Sequence, residues 1–223
     1  MPNWCECELK VSGDYLELER FKNLAKSEDE KTKYFSLSKF LPTPKSLLEA
    51  EAGYMEIAYT ILYGEEKVFQ SEARRQGFEN PTREEALSGI IKQRYLNPNE
   101  DFAAKLKLFK EAAERYRYNL ETYGKLNWYD WNIENWGTKW DVMDCEYNEG
   151  KVNAKGKACG VYSFASAWSP PSKGVQSISE MFPKLLFDLR FWESGCGFKG
   201  RFVCKRGNVL HDITKDYKGC RGG

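Results

Sequence analysis

Residues 4–13, WCECELKVSG, put Cys5, Cys7, Leu9 and Val11 on one side of an extended chain. Trp4, Glu6, Glu8 and Lys10 fall on the other. Alternation at period two marks a strand with one face buried and one face wet. Gly13 ends it. Asp14 is placed to cap a helix, with Glu17 three residues on as a capping box, and Leu16, Leu18, Phe21, Leu24 and Ala25 follow at helical period. KYFSLSKFLPTP, residues 33–44, returns to strand character and stops at Pro42 and Pro44.

The same order recurs near the other end. ACGVYSFASAW reads as a strand ended by Ser169-Pro170-Pro171, and SKGVQSISEMFPKL as a helix with Val175, Ile178 and Phe182 inward. LLFDLRFWESG alternates again, with Leu185, Phe187, Leu189 and Phe191 on one side and Leu186, Asp188, Arg190 and Trp192 on the other. GFKGRFVCKRGNVLHDI reads as a hairpin turning at Arg206-Gly207-Asn208. Two strand–helix–strand halves define an α+β, ferredoxin-like (βαββαβ) sheet with an added C-terminal hairpin. Residues 1–44 are expected to form its first half, 128–215 its second half with the hairpin, and 216–223 a loose tail.

Residues 45–127 are expected to form a helical insertion between the two halves, with loops at GFENPT and YLNPNE. Thr82 with Glu85 makes one capping box; Asn97 with Glu100, and Pro98 at the first helical position, makes another. Phe102, Leu106, Phe109, Ala113, Tyr116, Leu120 and Tyr123 form an apolar seam expected to pack on Ala86, Leu87, Ile90 and Ile91.

The chemistry available is narrow. No phosphate-binding glycine loop, dinucleotide fingerprint, HExxH or GxSxG motif occurs. His211 is the single histidine, which leaves no histidine-based triad. Cys196, Cys204, His211 and Cys220 are close in sequence but match no zinc spacing. Glu134, Asp141 and Asp144 form a possible carboxylate group for a divalent ion, and a metal-dependent phosphodiesterase is the enzymatic alternative. No catalytic residue, metal or cofactor is expected. The seven cysteines and an N-terminus without a basic, apolar leader point to reduced thiols in a cytosol.

Binding is the better-supported expectation. Ferredoxin-like sheets can stack bases on aromatic side chains of an open face. Trp4 and Trp192 lie on the polar sides of two strands that are neighbours in this fold, and Tyr162, Phe164 and Trp168 share one side of a third. Lys10 and Arg190 supply charge. YDWNIENWGTKWD, residues 129–141, adds Trp131, Trp136 and Trp140, with Trp128 just before it. Asn135-Trp136-Gly137-Thr138 is expected to turn, with Trp136 and Trp140 clamping the sheet and Lys139 and Asp141 facing outward. The candidate ligand- or partner-binding residues are Trp4, Trp136, Lys139, Trp140, Trp168, Arg190 and Trp192. The bland alternative is that the tryptophan-rich stretch and the insertion bury these rings as core.

MPNWCECELKVSG, ENWGTKWD and FASAWSPPSKGV…FPKLLFDLRFWESGCGFKG together resemble the YubB-type family of phage and plasmid proteins, over residues 1–41 and 128–200. Cys7 stands where that family usually carries Asn. The resemblance implies a ferredoxin-like domain and a mobile-element accessory protein in a bacterial host cytoplasm. It also implies a non-enzymatic counter-defence role. The partner would be a host defence protein, such as a CRISPR effector, or a nucleotide immune signal; the alternative is a nucleic-acid- or nucleotide-binding module. No membrane partner is expected.

Overall fold

The computed structural model describes residues 3–50 and 53–219. The chain divides into two compact units, one of residues 1–42 and 132–223 and one of residues 43–131.

In the first unit, β1 (Trp4–Asp14) leads into α1 (Tyr15–Ala25). Asp14 caps α1 by accepting the N–H of Glu17 at 3.0 Å, but the capping box is not closed. The Glu17 carboxylate instead accepts the N–H of Lys184 at 2.7 Å. The expected strand over residues 33–44 does not form. Leu37–Lys39 is a single 3-10 turn, closed by the Phe40 N–H on the Leu37 carbonyl at 3.0 Å. The residues still deliver Phe35, Leu37 and Phe40 to the core. Their backbone is satisfied by a side chain rather than by a neighbouring strand, as described below.

The strand missing from residues 33–44 is supplied by β2 (Met143–Glu149), which pairs with β3 (Lys157–Ala167). The insertion therefore lies between α1 and the second strand, inside the first half of the fold rather than between the halves. β2 was hard to see because MDCEYNE does not alternate cleanly. The register slips between Met143 and Glu146, where Asp144 takes a φ of 53° and Cys145 donates its N–H to the Lys31 carbonyl. This is a β-bulge.

The second half follows its expected order: β3, α8 (Ser172–Met181), β4 (Leu185–Glu193), then the hairpin β5 (Phe198–Lys205) and β6 (Asn208–Asp216). Arg206 and Gly207 turn the hairpin with φ of 54° and 75°, the two positive values that match the twist of paired strands. The sheet order is β2-β3-β1-β4-β5-β6, and every described neighbour pair is antiparallel. The first four strands form the ferredoxin-like sheet; the hairpin extends it beyond β4.

α1 and α8 cover one face. Cys5, Cys7, Leu9 and Val11 are buried beneath them, as are Leu185, Phe187, Leu189 and Phe191. Phe21 of α1 sits at the centre of an aromatic cluster, 5.2 Å from Phe182, 5.3 Å from Phe40, 5.5 Å from Phe187 and 5.7 Å from Tyr162, ring centre to ring centre. Edge-to-face and stacked pairs each add about 0.5–1.5 kcal/mol beyond the area they bury. Tyr162 and Phe164 belong to this core, opposite Leu9 and Cys7 in the β1–β3 register; they do not face the open side. At Gly13 the end of β1 passes close to the start of β4, since a Cβ there would lie 2.2 Å from the Lys184 carbonyl oxygen.

The second unit is helical: α2 (Lys45–Leu48), α3 (Tyr54–Tyr63), α4 (Glu66–Arg75), α5 (Arg83–Ile90), a π turn at Ile91–Tyr95 and α6 (Phe102–Tyr123). The Thr82–Glu85 capping box is present. The second one is not. Asn97 and Glu100 hydrogen-bond to each other, but α6 starts later because Asp101 accepts the N–H groups of Ala103 and Ala104. Phe109 and Ala113 of the seam are buried with Ala86, Leu87, Ile90 and Ile91, and also with Ala58 and Ile61 of α3 and Phe69 and Ala73 of α4. Tyr116 packs in an adjoining cluster with Met55 and Ala112, whereas Leu120 is exposed. The chain returns through α7 (Trp128–Asn135), within which the division between the units falls.

Candidate functional site

The tryptophan-rich stretch is held by its own hydrogen bonds. Asn132, buried midway along α7, donates its side-chain N–H to the Lys139 carbonyl at 3.0 Å, and its own carbonyl accepts the Trp136 N–H at 2.7 Å. Gly137 has a φ of 83°, a value glycine adopts without steric cost. Thr138 donates its hydroxyl to the Ala167 carbonyl, and Trp136 accepts the Gly174 N–H at 3.1 Å. Trp136 is 4% exposed and its indole donates to the Leu41 carbonyl at 2.9 Å. It is a core residue, a correction to its expected place among the binding residues.

Asp141 is also not an outward contact residue. Its carboxylate accepts the N–H of Leu37 (2.8 Å), Ser38 (3.1 Å) and Val142 (2.8 Å), and the Ser36 hydroxyl (2.7 Å). It is the side chain that replaces a strand partner for residues 36–38. Glu134 and Asp144 are exposed, and among the described residues no three His, Cys, Asp or Glu side chains gather as metal ligands. Cys204 is buried, with its thiol against the Val175 carbonyl, while Cys196 is exposed. Cys220 lies outside the described residues.

Trp4 and Trp140 lie 6.2 Å apart, ring to ring, and the Lys139 ammonium sits 4.4 Å from the Trp140 ring centre. Trp168 is 48% exposed just past β3, with a φ of 70°. None of these four lines the groove that holds the remaining two candidates.

Arg190 and Trp192 do define a groove. On the face away from α1 and α8, Trp192 stands opposite Lys199, which stands opposite Lys215. One rung along, Arg190 stands opposite Arg201, and Arg201 opposite Ile213. These residues, with His211 and Tyr217, line a shallow groove of about 560 Å³. Like charges directly opposite on a sheet repel, and the Arg190–Arg201 repulsion is relieved in one direction. Arg201 turns to Asp188 in a two-point ion pair at 2.8 Å, which holds the Asp188 carboxyl below its ordinary value. Arg190, Lys199 and Lys215 make no ion pair with a described residue. The groove thus offers an indole, a phenol and an isoleucine beside Lys199 and Lys215, with Arg190 standing opposite Glu8 of β1.

Sequence reasoning found Trp192 and Arg190 but missed Lys199, Ile213, Lys215 and Tyr217. The signal was present in the hairpin's alternation: Lys199 and Arg201 are one set, and His211, Ile213 and Lys215 the set that pairs with it.

Beside the groove, Glu193 is buried and accepts the N–H of Gly195 at 2.6 Å and that of Cys196. Burial alone raises a carboxyl, but the two N–H groups and Asn3 outweigh it and hold Glu193 below its ordinary value. A lowered folded value means the carboxylate adds stability above its unfolded pKa of about 4.3, and that contribution is lost as pH falls through the folded value. Glu193→Gln is expected to lose about 1–2 kcal/mol at pH 7, because an amide N–H₂ then faces a donor. In urea unfolding, the gap to wild type should narrow at pH 3.5.

The fold and groove define a ferredoxin-like α+β domain whose open sheet face carries a basic, aromatic cleft. The family model for the ferredoxin-like domain in Api92-like protein matches residues 135–220, which hold β2 to β6. That segment of the chain is thus similar to the ferredoxin-like domain of Api92-like proteins. The crystal structure of protein Api92 from Yersinia pseudotuberculosis is similar at 11% identity, covering 99% of each chain, with a TM-score of 0.47. No curated protein matches. Among the described residues no helix is long and apolar enough to cross a membrane.

Proposed function

We propose that this chain is a non-catalytic accessory protein of a phage or plasmid that binds single-stranded nucleic acid or a nucleotide in the β4–β5–β6 groove. The observation that carries the reading is Trp192 beside Arg190, Lys199 and Lys215. An aromatic face accepts any base by stacking, and neighbouring cations accept the phosphates. A counter-defence role, implied by the resemblance, would then work by sequestering a nucleotide signal or a strand rather than by chemistry.

Titration with oligothymidylate tests this through tryptophan fluorescence. Wild-type protein is expected to show quenching that weakens as salt rises, since phosphate contacts release counterions. Trp192→Phe should lose most of that quenching. The absence of any fluorescence change at low salt, together with unaltered anisotropy of a labelled strand, overturns the reading.

A further inference from the structure

A second cleft opens at the far end of the same sheet face, where β1 ends and β3 and β4 begin; its volume is about 670 Å³. Lys10 of β1 and Lys184, just before β4, enter it from the sheet, and Lys205 and Arg206 enter from the hairpin turn. The β2–β3 connection adds Lys151 and Lys155, and the first residue of β3 adds Lys157. Among the described residues none of these seven makes an ion pair. Asp14 is the one carboxylate lining the cleft, and it is engaged as the cap of α1.

The lysines of the connection sit on an ordered turn. The Asn153 side chain accepts the N–H of Lys155 at 2.9 Å and of Lys157 at 3.0 Å. The Gly156 carbonyl accepts the N–H of Tyr15, fixing the turn to the start of α1. No aromatic ring lines the cleft, so it has nothing on which to stack a base. Its chemistry suits closely spaced phosphates alone.

The two clefts lie on one face in register. Lys10 stands opposite Asp188, one rung from Arg190, and Ser12 stands opposite Leu186, at the second cleft. Of the acids along this path, Asp188 is neutralised by Arg201, and Glu8 stands opposite Arg190 in the β1–β4 register. From Trp192 to Leu186 is six strand residues, about 20 Å at the usual rise.

We infer that the lysine cleft holds the sugar–phosphate backbone of the same single strand whose base stacks on Trp192, so that the strand runs along the sheet from one cleft to the other. This rests on the nucleic-acid reading of the groove. A three-nucleotide strand should occupy the groove alone, and a twelve-nucleotide strand both clefts.

The test uses full-length protein, dT3 and dT12, and the triple variant Lys155→Gln/Lys157→Gln/Lys184→Gln, whose changes are all at exposed positions. The salt dependence of dT12 binding should be steeper than that of dT3. In the triple variant the dT12 slope should fall by about 2, at roughly 0.7 per lost contact, while dT3 quenching is unchanged. Tripolyphosphate should compete with dT12 but not with dT3. Equal slopes for the two strands, or an unchanged dT12 slope in the variant, with dT3 still quenching, overturn this inference and leave the groove reading standing. Tripolyphosphate that binds wild type without weakening dT12 also overturns it, in favour of a free polyphosphate ligand. If neither strand binds wild type, the groove reading falls first and this inference with it.

Discussion

Replacing Asp141 by alanine is expected to lower the unfolding free energy by about 3 kcal/mol, although the residue lies in no cavity and touches no ligand. The substitution removes the acceptor of three backbone N–H groups and one hydroxyl at once. Leu37 is fully buried, so its N–H has no water to turn to, and an unsatisfied buried donor costs about 1–3 kcal/mol on its own. For a chain of this size the change should lower Tm by roughly 6–12 °C. Asp141→Asn keeps one acceptor oxygen and should lose about half as much. Urea unfolding followed by far-UV circular dichroism measures both. An Asp141→Ala variant as stable as wild type would mean that residues 36–38 find other partners.

The second large effect concerns the groove. Trp192→Ala should weaken binding of a labelled single strand by about 5- to 150-fold, the range for loss of one base–aromatic stack, about 1–3 kcal/mol. Its salt slope should stay near wild type, because no cation is removed. Arg190→Gln/Lys199→Gln should behave in the opposite way, with a slope shallower by about 1.4 and fluorescence quenching retained at low salt. Fluorescence anisotropy at several salt concentrations separates the two. Trp136→Phe is the contrasting variant: it should reduce stability through the lost Leu41 hydrogen bond and leave strand affinity unaltered.

The sequence was most legible where side chains alternate or repeat without interruption. Cys5, Cys7, Leu9 and Val11, and Leu185, Phe187, Leu189 and Phe191, stand in the core as their spacing requires. It was least legible where a single side chain supplies what secondary structure normally supplies. Phe35, Leu37 and Phe40 carry a strand's composition, yet a distant carboxylate holds them in a turn, and no periodicity encodes that contact across a hundred residues. β2 was concealed by the bulge at Asp144 and by its position on the sheet edge, where only Cys145 is buried. The groove was half visible. Trp192 and Arg190 appear on one strand's polar side, but their partners come from a hairpin whose register follows from Arg206-Gly207 and is slipped by an irregularity near Val203. Tryptophan density was the poorer guide: Trp136 stands out in sequence and is core, whereas the lysines flanking the groove are unremarkable as a string.

The hydrogen bond from Trp136 to Leu41 has an architectural consequence. It joins the last residues before the helical excursion to the first residues after it, so the chain leaves and re-enters the sheet domain at a closed gate. The span between can change in length or content without stretching the sheet, because closing a longer loop adds only about 0.6 kcal/mol per doubling. That pair is a natural exchange point, where one helical cassette can be swapped for another, or for a short linker, while the strand-bearing domain keeps its fold.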